Sequence, residues 1–358
     1  MHARNAGNVV KFAPIPLIFA LFCLPLPGKA AESLRSPWDA KPIAITDAAY
    51  ACPAIVHLPR DLTTDRFYSD SKSSIIDPEK WKAYQASAGP VKQLGQEIVD
   101  AADAYRTTGS RIAAECVIHK MEAAASDGVF SGKMSSSQAY YVQGWVIGAI
   151  SIAYLKVRDS GLISSSQQAL ILPWIEQVVH QTMSYYEDGR AKSKGDAHNN
   201  HLSWAGVEVA AAGIAANNRK LFDWGMQTAE EGIAAIQPDG TLPLEMQRGQ
   251  RALHYHLFAL SPLVYLAEFG ELNGMHLYSE HDGAIKKLAV LSTQGLEDNS
   301  FFTKATGISQ DAPNGAPTAE EISWAPIYVA RFPSPSISRL IAQAHSLSYM
   351  YLGGLPPQ

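Results

Sequence analysis

The sequence has little positive charge and, beyond its N-terminal segment, no long apolar run. It contains 29 Lys and Arg against 34 Asp and Glu, a formal net charge of -5. An acidic balance is not typical of a nucleic-acid-binding protein, although a few cations that converge in one cleft can still bind a polyanion. After residue 31 no stretch reaches the roughly 18 apolar residues of a transmembrane helix. We expect no nucleic-acid partner and, once the N-terminal segment is removed, no membrane contact.

The first residues have the pattern of a secretory signal peptide. Arg4 and Lys11 precede an apolar, proline-interrupted stretch over residues 12–26, and small residues follow at 28–31. A basic start, a short apolar run and small residues at a cleavage point are typical of such a signal. We therefore expect residues 1–31 to be removed on export to the periplasm.

Cysteine is scarce, with three in the whole chain. One of them, Cys23, belongs to the predicted signal peptide, which leaves Cys52 and Cys116. An even number of cysteines in an oxidising compartment favours a disulfide between them, pinning the N-terminal segment to an early helix. The alternative is two separate buried thiols.

From residue 91 onward the pattern predicts helix after helix, rich in Ala, Leu, Ile and Gln, with Gly, Asn and Ser at the ends. No low-complexity linker divides residues 32–358, and no short repeat of the solenoid kind is present, so we expect one all-α domain with an α/α toroid around a cleft. The predicted helices are 91–106, 110–126, 136–158, 165–187, 201–216, 218–236, 250–272, 281–294 and 335–351.

The segment of residues 58–76 differs from the helical remainder. It is polar and prone to turns, yet it contains Arg66, Phe67, Tyr68 and Lys72. A loop of this length in a compact domain is usually functional or disordered. Aromatic faces stack on sugar rings and cations bind carboxylates, so the segment is either a lid over a sugar cleft or an N-terminal arm lying on the surface.

The sequence Asn-Asn-His-Leu-Ser-Trp at residues 199–204 precedes a helical pattern. Asn199 or Asn200 therefore occupies a favoured N-cap position, where a helix attracts anions through its free N–H groups and its dipole. Taken alone, the segment is better explained by simple capping beside a surface His201.

A second segment, residues 248–256, contains a guanidinium and a phenol at helical spacing. Arg248 and Tyr255 are seven residues apart, two turns of a helix, and would project from nearly one face; Arg251 lies close to that line. The alternative is an ordinary helix with an arginine at its start and a half-buried tyrosine.

Together the two segments supply an amide, an imidazole, a guanidinium and a phenol. These groups can bind a carboxylate, neutralise it and move a proton off the adjacent carbon. The set predicts β-elimination on a uronic acid polymer.

These motifs resemble the alginate lyases that cleave poly-β-D-mannuronate, polysaccharide lyase family five. The resemblance rests on Asn-Asn-His-x-x-Trp followed by Arg-x-x-Arg-x-Leu-x-Tyr-His, with Leu-Phe-Asp-Trp at 221–224 between them. It extends to Gln-Ala-Tyr-Tyr at 138–141 with Trp145. It also includes the stretch 324–332, which begins with Trp and ends with Ala-Arg-Phe. It covers roughly residues 50 to 350.

The resemblance implies an incomplete α/α toroid with a deep cleft, a disulfide present in some members, and endolytic elimination without a metal or other cofactor. Asn200 and Arg248 would bind and neutralise the uronate carboxylate, and Tyr255 would take the C5 proton and return a proton to the departing O4. His201 would help to polarise the carboxylate or, on an epimeric sugar, act as the base from the opposite face; the first role is favoured for mannuronate.

The resemblance also implies residues that bind the sugar chain. Arg66 with Tyr68, or with Phe67 in its place, would close over the sugar. Tyr84 and Lys92 are weaker matches. The positions that match along the cleft are Gln138, Tyr141 and Trp145.

A phenol has an ordinary pKa of about 10, so we expect Arg248 and other cations to favour the ionised form of Tyr255 and the rate to rise toward mildly alkaline pH. Gly249 and His254 depart from the more cationic second segment of many family members. Polyglucuronate has the same backbone linkage, so a preference for it is an alternative.

Three other interpretations fit parts of the sequence. His198 and His201 form His-x-x-His, but no His-Glu-x-x-His pattern accompanies them, which disfavours a metal site. A second alternative is that the chain is a periplasmic scaffold protein of an exopolysaccharide export machinery. We expect the enzyme itself to be a monomer, with that secretion machinery as a further partner. A glycoside hydrolase would need two carboxylates; the candidates are Asp196, Glu208, Asp239 and Glu245.

Overall fold

The protein is described by a computed structural model that covers residues 1–3, 7, 33–311 and 315–357. Apart from residues 1–3 and 7, the predicted signal peptide lies outside the described residues. The chain from Leu34 to Gln358 forms one compact unit. No helix in the described ranges is long and apolar enough to cross a membrane.

The described chain is helical, and its β-structure is limited to isolated bridges. Short 3-10 turns occur at Pro37–Ala40, Gly195–Ala197, Gly249–Arg251, Leu277–Ser279 and Met350–Leu352. The α-helices are α1 (Pro78–Thr108), α2 (Arg111–Asp127), α3 (Ser137–Val157), α4 (Ser165–Ala191), α5 (Asn200–Ala216), α6 (Arg219–Ala234), α7 (Pro243–Met246), α8 (Ala252–Leu272), α9 (Glu280–Glu297), α10 (Ser300–Thr306), α11 (Ala319–Ile322), α12 (Ala325–Arg331) and α13 (Pro335–Gln343).

The helices pack in two layers as an incomplete α/α toroid, which confirms the predicted fold. Helices α1, α3, α5 and α8 follow one another along the inner layer, and α2, α4, α6 and α9 pack outside them. Nearly every residue of α3, α5 and α8 is buried. A helix that is apolar all round must be covered on all sides, which explains their inner position.

Local sequence signals set most helix ends. Asp77, Ser136 and Asn218 cap the starts of α1, α3 and α6, because each side chain accepts hydrogen bonds from backbone N–H groups of the first turn. Gly109 ends α1 with φ 74°, a left-handed conformation that glycine adopts without steric cost. Caps of this kind are readable from sequence, so most predicted ends lie within a few residues of the observed ones.

Two predicted helix boundaries are wrong. Helix α1 begins at Pro78 rather than residue 91, because it continues through Pro90 where packing outweighs the lost N–H. Helix α13 ends at Gln343 rather than 351, since the chain then turns back toward the core. The start of α9 at Glu280 agrees with the predicted residue 281, although residues 281–283 have left-handed backbone angles.

Cys52 and Cys116 form the predicted disulfide, with their Cα atoms 5.7 Å apart. It links the N-terminal arm to α2. Farther along, the loop of residues 58–76 bonds to the α2–α3 loop, where the Leu62 N–H donates to the Lys133 carbonyl at 3.1 Å. The loop of residues 58–76 is therefore fixed near its N-terminal end.

Candidate active site

A cleft of about 630 Å³ lies at the N-terminal ends of α3, α5 and α8, beside the loop of residues 58–76. Helix N-termini carry partial positive charge, so the position favours an anion. The loop forms one side of the cleft, as the lid interpretation predicts. Eight of the nine predicted catalytic and sugar-binding residues line the cleft: Arg66, Tyr68, Gln138, Tyr141, Trp145, His201, Arg248 and Tyr255.

His201 lies in the first turn of α5, where Asn199 caps the helix by accepting a hydrogen bond from the His201 N–H at 3.0 Å. The imidazole stacks on the Tyr141 ring, with centroids 3.8 Å apart, and its Nδ1 is buried without a hydrogen-bond partner. Burial, and next the Arg248 guanidinium, lower the pKa of His201 to about 3. The imidazole is therefore neutral at physiological pH.

Asn200 is the one predicted site residue that does not line the cleft. Its Nδ2 donates to the Glu245 carboxyl oxygen at 2.8 Å, and its Oδ1 is buried without a partner. The side chain lines a second cavity of about 410 Å³, whereas Asn199 borders both cavities. Asn200 thus lies directly behind the cleft wall that Asn199 and His201 form.

Arg248 and Tyr255 do meet, although not on one helix. Helix α8 begins at Ala252, and Gly249 has φ 60° in the turn before it, so Arg248 lies outside the helix. The prediction of a shared helix face is therefore wrong, because the left-handed turn redirects the chain. The Arg248 guanidinium carbon instead lies 3.6 Å from the centroid of the Tyr255 ring, a cation–π contact.

The Tyr255 hydroxyl lies 3.1 Å from the hydroxyl of Tyr68, which accepts a hydrogen bond from Arg251 Nη1 at 2.9 Å. Burial raises the pKa of Tyr255 above its usual value near 10. Arg248 and Arg251 lower this pKa without reversing the effect of burial. Contrary to the expectation from sequence, the cations do not outweigh the effect of burial on this pKa.

The loop of residues 58–76 places Tyr68, not Phe67, against the Tyr255 hydroxyl. The Phe67 ring packs between Trp81 and Tyr84, with centroids 4.7 and 4.8 Å away. The loop is joined to the turn before α8 by a hydrogen bond from Gln250 Nε2 to the Ser74 carbonyl at 3.0 Å. Both aromatics line the cleft, but only Tyr68 reaches the Tyr255 hydroxyl, whereas Phe67 packs on two aromatics of α1.

The remaining predicted binding residues surround the opening. Arg66 is exposed and donates to the Asp70 carbonyl at 3.2 Å. Gln138 is buried in the first turn of α3. The Trp145 ring stacks on Tyr351 with centroids 4.7 Å apart. These side chains offer a cation, an amide and an aromatic edge to a chain lying along the cleft.

Sequence reasoning missed the contribution of the C-terminal turn. Tyr349 and Tyr351 line the cleft, because the turn that carries them folds back against α1 and α3. Glu320 also lines it, with a carboxyl oxygen 3.6 Å from His254 Nε2. The pair of tyrosines at alternate positions could have indicated a sugar-binding segment. The predicted helix over 335–351 concealed this, because it placed both tyrosines inside a helix.

The rival chemistries find little support in the arrangement of their residues. Of the four carboxylates proposed for a hydrolase, Asp196 alone lines the cleft, where it accepts from the Tyr141 hydroxyl at 2.7 Å. Glu208 and Glu245 are buried outside the cleft, and Asp239 binds Thr241 of its own turn. In the described ranges, no three His, Cys, Asp or Glu side chains are grouped as metal ligands.

The family model described as alginate lyase matches residues 61–302, more than half of the chain. A polysaccharide lyase of Stenotrophomonas maltophilia (strain K279a) is 34% identical over 271 residues, 75% of this chain and 80% of that protein. An alginate lyase of Azotobacter vinelandii (strain DJ / ATCC BAA-1303) is 29% identical over 338 residues, 91% of this chain and 88% of the other.

Solved structures share the fold. A variant of alginate lyase A1-III complexed with tetrasaccharide matches with a TM-score of 0.73 and 19% identity, over 90% of this chain and 88% of that one. Alginate lyase A1-III from Sphingomonas species A1 matches with a TM-score of 0.66 and 19% identity, over 90% of both chains. At this identity the likeness concerns the toroid alone.

Proposed function

This chain belongs to the alginate lyase family and is a polysaccharide lyase, and we propose that it cleaves poly-β-D-mannuronate endolytically by β-elimination. One observation carries the proposal. A phenol, a guanidinium and a neutral imidazole from two segments about fifty residues apart line the same cleft, as Tyr255, Arg248 and His201. This is the set that removing a proton beside a carboxylate requires.

Charge neutralisation comes first in the proposed reaction. The C5 hydrogen is weakly acidic beside an ionised carboxylate, so Arg248, with the amide of Asn200, binds that carboxylate and stabilises the enolate-like intermediate. His201 is neutral, which suits it to donate a hydrogen bond to the same carboxylate. The lining supplies four cations, Arg66, Lys92, Arg248 and Arg251, against the two carboxylates Asp196 and Glu320.

Proton transfer follows at Tyr255. The ionised phenol takes the C5 proton, and the electron pair of that C–H bond moves into the sugar carboxylate. The C4–O4 bond then breaks as a C4–C5 double bond forms, and the phenol returns the proton to O4. In β-D-mannuronate the two groups leave from one side of the ring, so a single residue serves both steps. Hydrogen bonding between the Tyr68 and Tyr255 hydroxyls holds the phenol in place.

The test is the near-ultraviolet absorbance of the unsaturated uronate product on polymannuronate, polyguluronate and polyglucuronate. We expect the fastest rise on polymannuronate, with an early fall in viscosity because endolytic cuts shorten chains internally. Tyr255→Phe should lower kcat at least about 1,000-fold, since the acid and base is lost. Tyr265→Phe, a fully buried phenol on the same helix outside the cleft, is the matched control and should retain activity.

Two outcomes would overturn the proposal. No absorbance change on any polymer would remove the lyase assignment, and equal loss in both tyrosine variants would show a folding defect rather than lost chemistry. A faster reaction on polyglucuronate would keep the mechanism and change the substrate.

We also propose that the enzyme is periplasmic and acts on its anionic polymer there as a monomer, with an exopolysaccharide secretion machinery as a further partner. The support is the basic and apolar pattern of residues 1–31. N-terminal sequencing of protein from the periplasmic fraction should start near residue 32. Recovery of the uncleaved chain from the cytoplasm would contradict this location.

A further inference from the structure

Glu245 is a buried carboxyl group that the proposed reaction does not use. It lies in the four-residue helix α7, three residues before Arg248, and its side chain is 1% exposed. It does not line the cleft, and its carboxyl group bonds to Asn200. Burying an ionisable group costs free energy unless the group is hydrogen-bonded, so the hydrogen-bond partners of Glu245 indicate its role.

The partners of Glu245 are two residues of the proposed catalytic set. One carboxyl oxygen, Oε1, accepts hydrogen bonds from Asn200 N at 3.0 Å and from Asn200 Nδ2 at 2.8 Å. Its backbone carbonyl accepts from the Arg248 N–H at 3.1 Å. Glu245 thus joins the start of α5 to the turn before α8, two segments far apart in sequence.

These bonds restrict the Asn200 amide. An amide nitrogen carries two hydrogens, and Glu245 accepts one of them, which fixes the amide plane and leaves the second hydrogen for another acceptor. In the described chain Glu245 is the partner of Asn200 Nδ2, and Asn200 Oδ1 has none. The terminal torsion of an asparagine is otherwise broad, so without Glu245 little would set its direction.

The surroundings of Glu245 explain why it can hold this position. It and Asn200 line the second cavity of about 410 Å³, whose walls include Leu202, Leu242 and Leu263. Burial raises the pKa of Glu245, whereas the hydrogen bonds from Asn200 and the nearby Arg248 lower it. In either protonation state the carboxyl group keeps an oxygen that can accept both Asn200 bonds.

We propose that the Glu245 side chain is a positioning group that sets the direction of the Asn200 amide for the elimination. The inference rests on the proposed function, in which Asn200 and Arg248 bind the substrate carboxylate. Its effect on the reaction passes through Asn200, which makes the two residues energetically coupled.

A double-mutant cycle tests the coupling. kcat and KM on polymannuronate are measured for the wild type, Glu245→Leu, Asn200→Ala and the double variant, with Glu245→Gln alongside. Glu245→Leu should lower kcat about 100-fold, because a misdirected group loses that much in the transition state. In the Asn200→Ala background the same change should cost less than about threefold, and Glu245→Gln, which keeps the accepting oxygen, should stay within about threefold of wild type.

The control for lost stability is Lys120→Met. Lys120 is a buried lysine on α2, bonded to Glu97, and its loss destabilises the protein at a site outside the cleft. Its kcat should stay near that of the wild type. If Glu245→Leu does not fold, Glu245→Asp replaces it in the cycle, since the shorter side chain withdraws the oxygen, with an expected loss of about tenfold.

Two results would overturn the inference: losses in Glu245→Leu and Asn200→Ala that multiply in the double variant, or a Glu245→Gln variant as impaired as Glu245→Leu. Neither result affects the proposed function, because the kcat of Asn200→Ala would still be lower than that of the wild type. An Asn200→Ala enzyme with full activity would overturn both the role of Asn200 and this inference.

Discussion

His201 and Tyr255 share one cleft, and burial shifts both of them toward the neutral form. Desolvation lowers the pKa of His201 to about 3 and raises that of Tyr255 above its usual value. The neutral imidazole is ready to donate or accept a hydrogen bond at any physiological pH. The phenol, in contrast, must lose its proton before it can take one from the substrate, so only Tyr255 should control the pH dependence.

We expect kcat/KM to rise with pH by about tenfold per unit, from about pH 6 to beyond pH 9. The active form is the deprotonated phenol of Tyr255. Because its pKa is raised, this form stays a minority over the whole pH range, so kcat/KM should not level off within it. His201 and His254, whose pKa values are both lowered to about 3, should add no inflection near pH 6.5. The measurement is the initial rate of unsaturated uronate formation.

A polymer sample without enzyme at each pH corrects for alkaline cleavage. A plateau reached near pH 7 would contradict the prediction and mean that Arg248 and Arg251 outweigh burial after all. An inflection that disappears in His201→Gln would assign the titration to the imidazole instead.

At the scale of elements, the C-terminal turn is held by a buried ion pair. Lys156 on α3 is 1% exposed and bonds to Asp103 on α1 and to the carbonyl of Leu355 at 2.9 Å. Asp103 in turn accepts from the Ser348 hydroxyl at 3.0 Å and from the Leu355 N–H at 2.8 Å. The pair therefore holds both ends of the turn that brings Tyr351 against the cleft.

Lys156→Met should raise KM on polymannuronate about tenfold with a much smaller change in kcat, because the turn forms the cleft wall but carries no reacting group. Stability should fall by about 3 to 5 kcal/mol, since Asp103 is left buried without its partner. Lys120→Met removes a comparable buried pair away from the turn and should lower stability alone. Equal KM values in the two variants, measured below both unfolding temperatures, would rule out this role for the turn.

At the scale of the whole molecule, the N-terminal arm lies outside the helical layers and carries the loop that reaches α8. The disulfide at its base closes a loop of 64 residues. Cross-linking a loop of this size restricts the unfolded chain and stabilises the folded one by about 4 kcal/mol. Neither cysteine lines the cleft, so stability and catalysis should separate here.

Cys52→Ala with Cys116→Ala should lower the free energy of unfolding by about 4 kcal/mol and leave kcat/KM within about twofold at moderate temperature. Denaturant unfolding followed by circular dichroism measures the first quantity, and the absorbance assay the second. Wild-type protein treated with a reductant is the control and should show the same loss. An unchanged unfolding midpoint would show that the hydrogen bonds of the arm suffice without the bridge.

The sequence by itself determined the helical class, most helix ends and the candidates for the site. Helical periodicity and caps such as Asn199 are local, so neighbouring residues suffice to read them. Eight of the nine predicted site residues lie in the cleft, because most of them stand near the starts of α3, α5 and α8, which the toroid gathers, and the other two belong to the loop beside it. The disulfide followed from cysteine number and compartment, which also need no tertiary information.

Only the tertiary structure decided which groups touch and which charges are buried. Tyr68 rather than Phe67 reaches Tyr255 because the loop folds over α8, and two adjacent aromatics cannot be told apart by spacing. Burial depends on every element packed around a side chain, so the upward pKa shift of Tyr255 could not be read from nearby arginines. The bonds from Asn200 to Glu245 cross 45 positions, a separation that no local pattern records.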